Sequence, residues 1–341
     1  MRDVAALAGV SLKTVSRVVN REPGVRPELA ARVARAAEQL DYRPDLTASN
    51  LRRADRRTAT LGLLVEDVGN EFASAINRGV EEVARERGVA VIAASVDRDP
   101  ALERERVDTF ASRRVDALIL EPTGRDQGYL AVEVQRGWPI IAVDRLATGI
   151  DIDQVVSNNL EATRDGVRHL LDLGHRRIAF LGGASTLSTA EERHRGFIEA
   201  MAAAGATVRR EWVHRDLIDS DEAREALTTM LATDDRPTAI FAAQNLLTIG
   251  AVRALREHGL QHEIALVGFD DFLTADLLEP AVTVVAQDPL AIGRLAAELA
   301  FARMDDPDRP TQVHIVPATL ITRGSGEIPP ARSPGAPSPR R

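Results

Sequence analysis

Eleven residues near the start of the chain, VSLKTVSRVVN at positions 10–20, combine types and spacing suited to reading a nucleic-acid duplex. On a helix, Val15, Val18 and Val19 share one face, while Leu12, Lys13, Ser16 and Arg17 project from the first turns on the other. Lys13 or Arg17 can donate to guanine and Leu12 can touch a thymine methyl, with Thr14 and Asn20 close by. A second set lies at the carboxyl ends of apolar runs. Asn70 and Phe72 follow the run at 61–65, and Asp144 and Arg145 follow the run at 140–143. A carboxylate and a guanidinium fork can each hold two vicinal hydroxyls, and an amide can both donate and accept.

These side chains need elements to aim them. Residues 3–9, DVAALAG, form a short apolar helix pattern. Ala5 and Ala8 allow close approach of two helix backbones, Gly9 supplies a permissive turn, and Ser11 can cap the second helix. The pair reads as a helix-turn-helix. A third helix, at about residues 27–40, is expected to bury Leu29, Val33, Ala36, Ala37 and Leu40, with Arg26 just ahead of it placed for a phosphate. An ordinary amphipathic hairpin would share the first two helices but not this third one, nor the charge around it. Residues 1–57 hold twelve Lys/Arg against seven Asp/Glu, so this part carries +5 and the remainder −13. A basic module on an acidic body draws a polyanion to one part of the molecule.

DVAALAGVSLKTVSRVVN, together with GVRPELAARVARAAEQLDYRPDLTASNLR at 24–52, resembles the DNA-binding headpiece of the lactose-repressor (LacI/GalR) family of bacterial regulators, and the family pattern continues to about Arg323. The resemblance implies an all-α helix-turn-helix headpiece over 1–43, including Tyr42. It implies a hinge helix and linker over 44–58, in which Leu51 acts as a wedge that enters the minor groove and unstacks a base step. It further implies an α/β two-lobed core like that of the periplasmic binding proteins, over 59–328. Within that core Arg193, Gln244, Asp270 and Gln287 match effector-contacting positions.

The core's own pattern agrees with this. Apolar runs at 61–65, 89–93, 117–120, 140–143, 178–181, 239–242 and 265–269 alternate with helical patterns, as expected for doubly wound parallel sheets whose strands are buried on both faces. The last helix, at about 289–304, and the run at 313–316 return to the first lobe, with crossovers expected near 157, 286 and 317. Residues 329–341 are Pro/Ser-rich and are expected to be disordered.

Other classes fare worse. With no cysteine there is no disulfide, thiolate metal site or thiol nucleophile, and the seven histidines show no metal or triad spacing. The glycines at 182–183 do not form G-x-G-x-x-G, which argues against a dinucleotide oxidoreductase. The charged residues Lys13, Arg17 and Arg21 directly after the first apolar stretch favour a cytoplasmic over an exported protein. The reading is therefore a cytoplasmic homodimeric repressor, not an enzyme and without cofactor or metal. It binds double-stranded DNA at a pseudo-palindromic operator and responds to a small polar effector such as a sugar. The alternative is a solute-binding protein with a non-functional headpiece.

Overall fold

The computed structural model describes residues 1–19, 24–42, 57–124 and 126–330. Asn20, Arg43, the hinge segment with Leu51, and the tail from 331 onward lie outside the described residues. The chain divides into two units, Met1–Ala59 and Thr60–Arg341.

The first unit holds α1 (Arg2–Ala8), α2 (Leu12–Val19) and α3 (Pro27–Gln39) around Val4, Ala8, Val15, Val33 and Ala36. Gly9 ends α1 in the left-handed region, at φ 60°, ψ 42°. A side chain there would be strained and would also meet the Arg32 guanidinium, 2.8 Å from an ideal Cβ. Arg32 donates to the carbonyl of Ala8 at 2.6 Å, closing the end of α1 against α3. Leu40, expected in this core, is 44% exposed, because α3 stops at Gln39 and the chain turns away.

The second unit contains two six-stranded sheets. The first lobe has β1 (Thr60–Val65), β2 (Ala90–Ser95), β3 (Ala117–Leu120), β4 (Ile140–Asp144), β5 (Asp153–Ser157) and β11 (Val313–Val316), in the order β11-β5-β4-β3-β1-β2. Its helices are α4 (Glu71–Glu86), α5 (Pro100–Arg113), α6 (Ala131–Gln135) and α11 (Pro289–Asp305). The second lobe has β6 (Ile178–Leu181), β7 (Val213–His214), β8 (Ala239–Ala242), β9 (Ala265–Phe269), β10 (Thr283–Ala286) and β12 (Thr319–Ile321), in the order β12-β10-β9-β8-β6-β7. Its helices are α7 (Asn159–Asp172), α8 (Ser188–Ala203), α9 (Ser220–Leu231) and α10 (Asn245–Glu257). All strand pairs are parallel except β10 with β12. The chain passes between lobes three times: from β5 to α7, from β10 to α11, and from β11 to β12.

Each sheet carries a hydrophobic cluster on both faces. The strand β2 departs from the expected burial on both faces: it is an edge strand, and Ile92 is 41% exposed. Helix starts are set by local chemistry. The side chains of Asn70, Asp99, Asp219 and Asp288 cap α4, α5, α9 and α11, with Pro100 and Pro289 as first helical residues. Helices α4 and α11 cross where Gly79 and Gly293 meet. A Cβ on Gly79 would lie 2.3 Å from the Leu290 carbonyl, and one on Gly293 would lie 2.1 Å from that of Ile76. That close crossing ties the returning α11 onto the first lobe.

Candidate functional site

In the first unit, α2 presents the expected reading surface. Ser11 accepts a hydrogen bond from the backbone N–H of Thr14 at 3.2 Å and lies 2.9 Å from its hydroxyl, so the start of α2 is capped. Val15 is fully buried, whereas Leu12 is 48% exposed and Lys13 is also exposed. Thr14, Ser16 and Arg17 are half-buried. An exposed leucine beside an exposed lysine offers both an apolar and a cationic contact to a duplex. Arg26 is exposed at the N-cap of α3, next to backbone N–H groups that favour an anion. Tyr42 packs half-buried on the small core. Arg32, one of the twelve basic residues, is exposed while it donates to the carbonyl of Ala8.

In the second unit, a cleft lies between the lobes, with about 60 Å³ of free volume. All eight residues expected there, Asn70, Phe72, Asp144, Arg145, Arg193, Gln244, Asp270 and Gln287, line it. The parallel strands explain why: β1, β4, β8 and β9 of the two sheets point their carboxyl ends at the same crevice. Asp144 and Asp270, at the ends of β4 and β9, both adopt left-handed φ, at 62° and 67°. Such a conformation is uncommon outside glycine and marks a constrained position.

The first-lobe wall is an ion network. Arg145 contacts Glu121 at 2.9 Å, Asp144 at 3.6 Å and, more closely, Glu66. Glu66 also pairs with Arg98 at 3.1 Å, and Arg98 donates to the carbonyl of Ile218 at 2.9 Å, across the cleft. Burial pushes the Glu121 carboxyl up to about 7; Arg145 opposes that rise, and the neighbouring Asp144 and Glu66 charges add to it. Burial likewise raises Asp144, against the pull of Arg145 and Arg193. Although burial disfavours its charge, Arg145 is held above the ordinary arginine range by Glu121, Glu66 and Asp144.

The second-lobe wall is built from amides and backbone. Arg193 donates to the Asn159 side chain at 2.8 Å and to the carbonyl of Ala243 at 2.9 Å. Its guanidinium lies 3.7 Å over the Phe269 ring and 3.6 Å from Asp270. Gln287 donates to Asp270 at 2.7 Å. Burial raises Asp270, with Arg193 and then Gln287 opposing it. Between the walls, Asn245 donates to Asn70 at 3.1 Å. Glu66, Arg98, Glu121, Asn159 and Asn245 were not among the expected residues. Glu66 and Glu121 come directly after β1 and β3, so the strand-end rule applied there too would have found them.

Among the described residues no group of His, Cys, Asp and Glu could hold a metal ion, and no helix is long and apolar enough to cross a membrane. A helix-turn-helix module in one chain with a two-lobed cleft defines a ligand-responsive DNA-binding regulator. Comparison with known proteins gives the family. Residues 1–45 match the model for bacterial regulatory proteins of the lacI family, and residues 167–326 match the periplasmic binding protein-like domain. The chain is 30% identical over 331 residues to the transcriptional regulator GalR of Escherichia coli, covering 96% of each. It is 28% identical to the ribose operon repressor of Haemophilus influenzae, covering 95% of this chain and 98% of that one. The solved lac repressor dimer bound to operator superposes with a TM-score of 0.82 at 25% identity, covering 95% of this chain and 98% of the other. The chain belongs to the lacI family of bacterial regulatory proteins.

Proposed function

We propose that this regulator is a cytoplasmic homodimeric repressor, without catalytic activity, that binds a pseudo-palindromic operator and is controlled by a small polar metabolite in the inter-lobe cleft. Leu12, Lys13, Thr14, Ser16 and Arg17, with Asn20, read base edges. Arg26 and Tyr42 fix the headpiece on the phosphate backbone, and Leu51 wedges the minor groove. The effector is held by Asn70, Phe72, Asp144, Arg145, Arg193, Gln244, Asp270 and Gln287. One observation carries the reading: residues drawn from both lobes, and scattered over more than two hundred positions of sequence, line one cleft. The dimer named in the operator-bound lac repressor structure supports the two-fold assembly, and relatives named for ribose and galactose operons support a hydroxyl-bearing effector.

Linkage makes the coupling reciprocal, so an effector that weakens operator binding itself binds the DNA complex less tightly. The test is footprinting of the full chain on host DNA, with and without residues 1–57, and then operator titration of variants. Sharp palindromic sites that vanish on truncation are expected. Arg193→Ala should keep operator affinity but lose the effector response, and Leu51→Ala should do the reverse. A normal effector response in Arg193→Ala would remove the cleft from this reading.

A further inference from the structure

The cleft has an excess of negative charge and a shortage of uncommitted cationic donors. Five carboxylates line it against three guanidinium groups. Each of the three is already engaged by groups of the protein. Arg145 is shared by Glu66, Glu121 and Asp144 and also donates to the carbonyl of Pro122 at 3.3 Å. Arg98 is divided between Glu66 and the carbonyl of Ile218. Arg193 is taken by Asn159, the carbonyl of Ala243 and the face of Phe269. A phosphate or carboxylate entering here would add negative charge to a cleft that already holds more carboxylates than guanidinium groups.

The capacity left over is mostly for accepting. Asp144, 5% exposed on the cleft wall, keeps Oδ1 without a hydrogen-bond partner, and Gln287 keeps Oε1 without one. The one buried donor lining the cleft in the same condition among the described residues, Arg145 Nε, sits 3.6 Å from Asp144 Oδ2. Orphaned buried acceptors call for a ligand that donates, and surplus carboxylates in a closed site call for positive charge. Hydroxyls meet the first demand alone, whereas an ammonium meets both.

Resting on the reading of this cleft as the effector site, we propose that the effector is a hydroxylated amine, an amino sugar or amino polyol, whose ammonium sits against Asp144 and whose hydroxyls are held by Asn70, Gln244, Asp270 and Gln287. Phosphorylated and carboxylated metabolites are rejected. The raised carboxyls of Glu121, Asp144 and Asp270 fit this account, since the cleft relieves its excess charge by holding on to protons that a cation would replace.

The test is calorimetric titration of the full chain with matched triplets: glucosamine, glucose and glucose phosphate; galactosamine, galactose and galactose phosphate; serinol, glycerol and glycerol phosphate. In at least one triplet the amine is expected to bind about tenfold more tightly than its hydroxyl parent, equivalent to about 1.4 kcal/mol, with no binding of the phosphate. Asp144→Asn should weaken the amine about tenfold more than it weakens the parent, erasing that preference. The proposal is overturned if the hydroxyl or phosphate member equals the amine, if no triplet binds, or if Asp144→Asn weakens amine and parent alike. Arg193→Ala separates the two readings. If a winning sugar or phosphate is lost in that variant, the cleft is still the effector site and only the charge class fails. If its binding survives, the ligand lies elsewhere and the reading of the cleft falls too.

Discussion

The two walls of the cleft handle buried charge in opposite ways. On the first lobe Arg145 serves three carboxylates, of which Arg98 shares only Glu66, and Glu121 is left with its carboxyl raised to about 7. On the second, one guanidinium, Arg193, faces one carboxylate at 3.6 Å and makes its close hydrogen bonds to an amide and a carbonyl. Charges in a poorly solvated site cost several kcal/mol each unless fully paired, so the first wall, with more carboxylates to hold, carries more of that cost than the second. The difference assigns roles: the first wall senses the charge of whatever enters, and the second supplies a fixed hydrogen-bonding frame.

The largest test of that contrast removes the two arginines in turn. Arg145→Met strips Glu121 and Asp144 of their nearest cation, leaves Glu66 with Arg98 alone, and should cost about 3–5 kcal/mol of stability. Arg193→Met leaves Asp270 with the Gln287 amide and should cost about 1–3 kcal/mol, mainly from unpaired polar groups. Urea unfolding of the full chain measures both, and equal losses would end the distinction between the walls.

Acidity gives the next largest effect. A carboxyl raised in the folded state holds its proton longer than the unfolded chain does, so folding takes up a proton between the two values. For Glu121 the penalty is absent below about pH 4.5, grows as pH rises, and is complete above about 7, where it reaches at most about 3 kcal/mol. Asp144 and Asp270 act in the same direction. Glu121→Gln should flatten the fall in stability across that window. A pH profile of unfolding midpoints that this substitution leaves unchanged would show that Glu121 does not carry the effect.

How much of these walls was legible in the sequence depended on how each residue advertises itself. Asp144 and Asp270 stand at the ends of uninterrupted apolar runs, where the crevice of a parallel sheet must lie. Glu66 and Glu121 stand in the same kind of position, yet an acid beside an apolar run also reads as a solvated loop, and only the fold brings both to Arg145. Asn159 and Asn245 occupy the first turns of α7 and α10, where asparagine is commonplace. The strand β5 hid for a related reason: its first two residues are polar, but Asp153 is buried against Arg303 at 2.8 Å, and Gln154 accepts from the backbone of Ala147 at 2.8 Å. β7, only two residues long, carries no period at all. Apolar periodicity reports the layers of a fold, whereas polar partners that meet only after the chain has crossed between lobes leave no local trace.

The smallest expected effect concerns the contacts that join the walls. Ser188 accepts from the backbone N–H of Leu146 at 3.1 Å, and Glu71 accepts from that of Leu273 at 2.9 Å. The Asn70–Asn245 and Arg98–Ile218 pairs bridge the cleft as well. Each hydrogen bond, of which the Asn70–Asn245 pair makes two, is worth about 0.5–1.5 kcal/mol net. Ser188→Ala should therefore shift the unfolding midpoint barely at all, yet weaken effector binding by up to about tenfold, because it lowers the share of closed molecules that the effector selects. Calorimetric titration of effector against this variant reads that loss directly. A loss matching that of Arg145→Met would mean that lobe closure, not the charge of the first wall, governs what the cleft accepts.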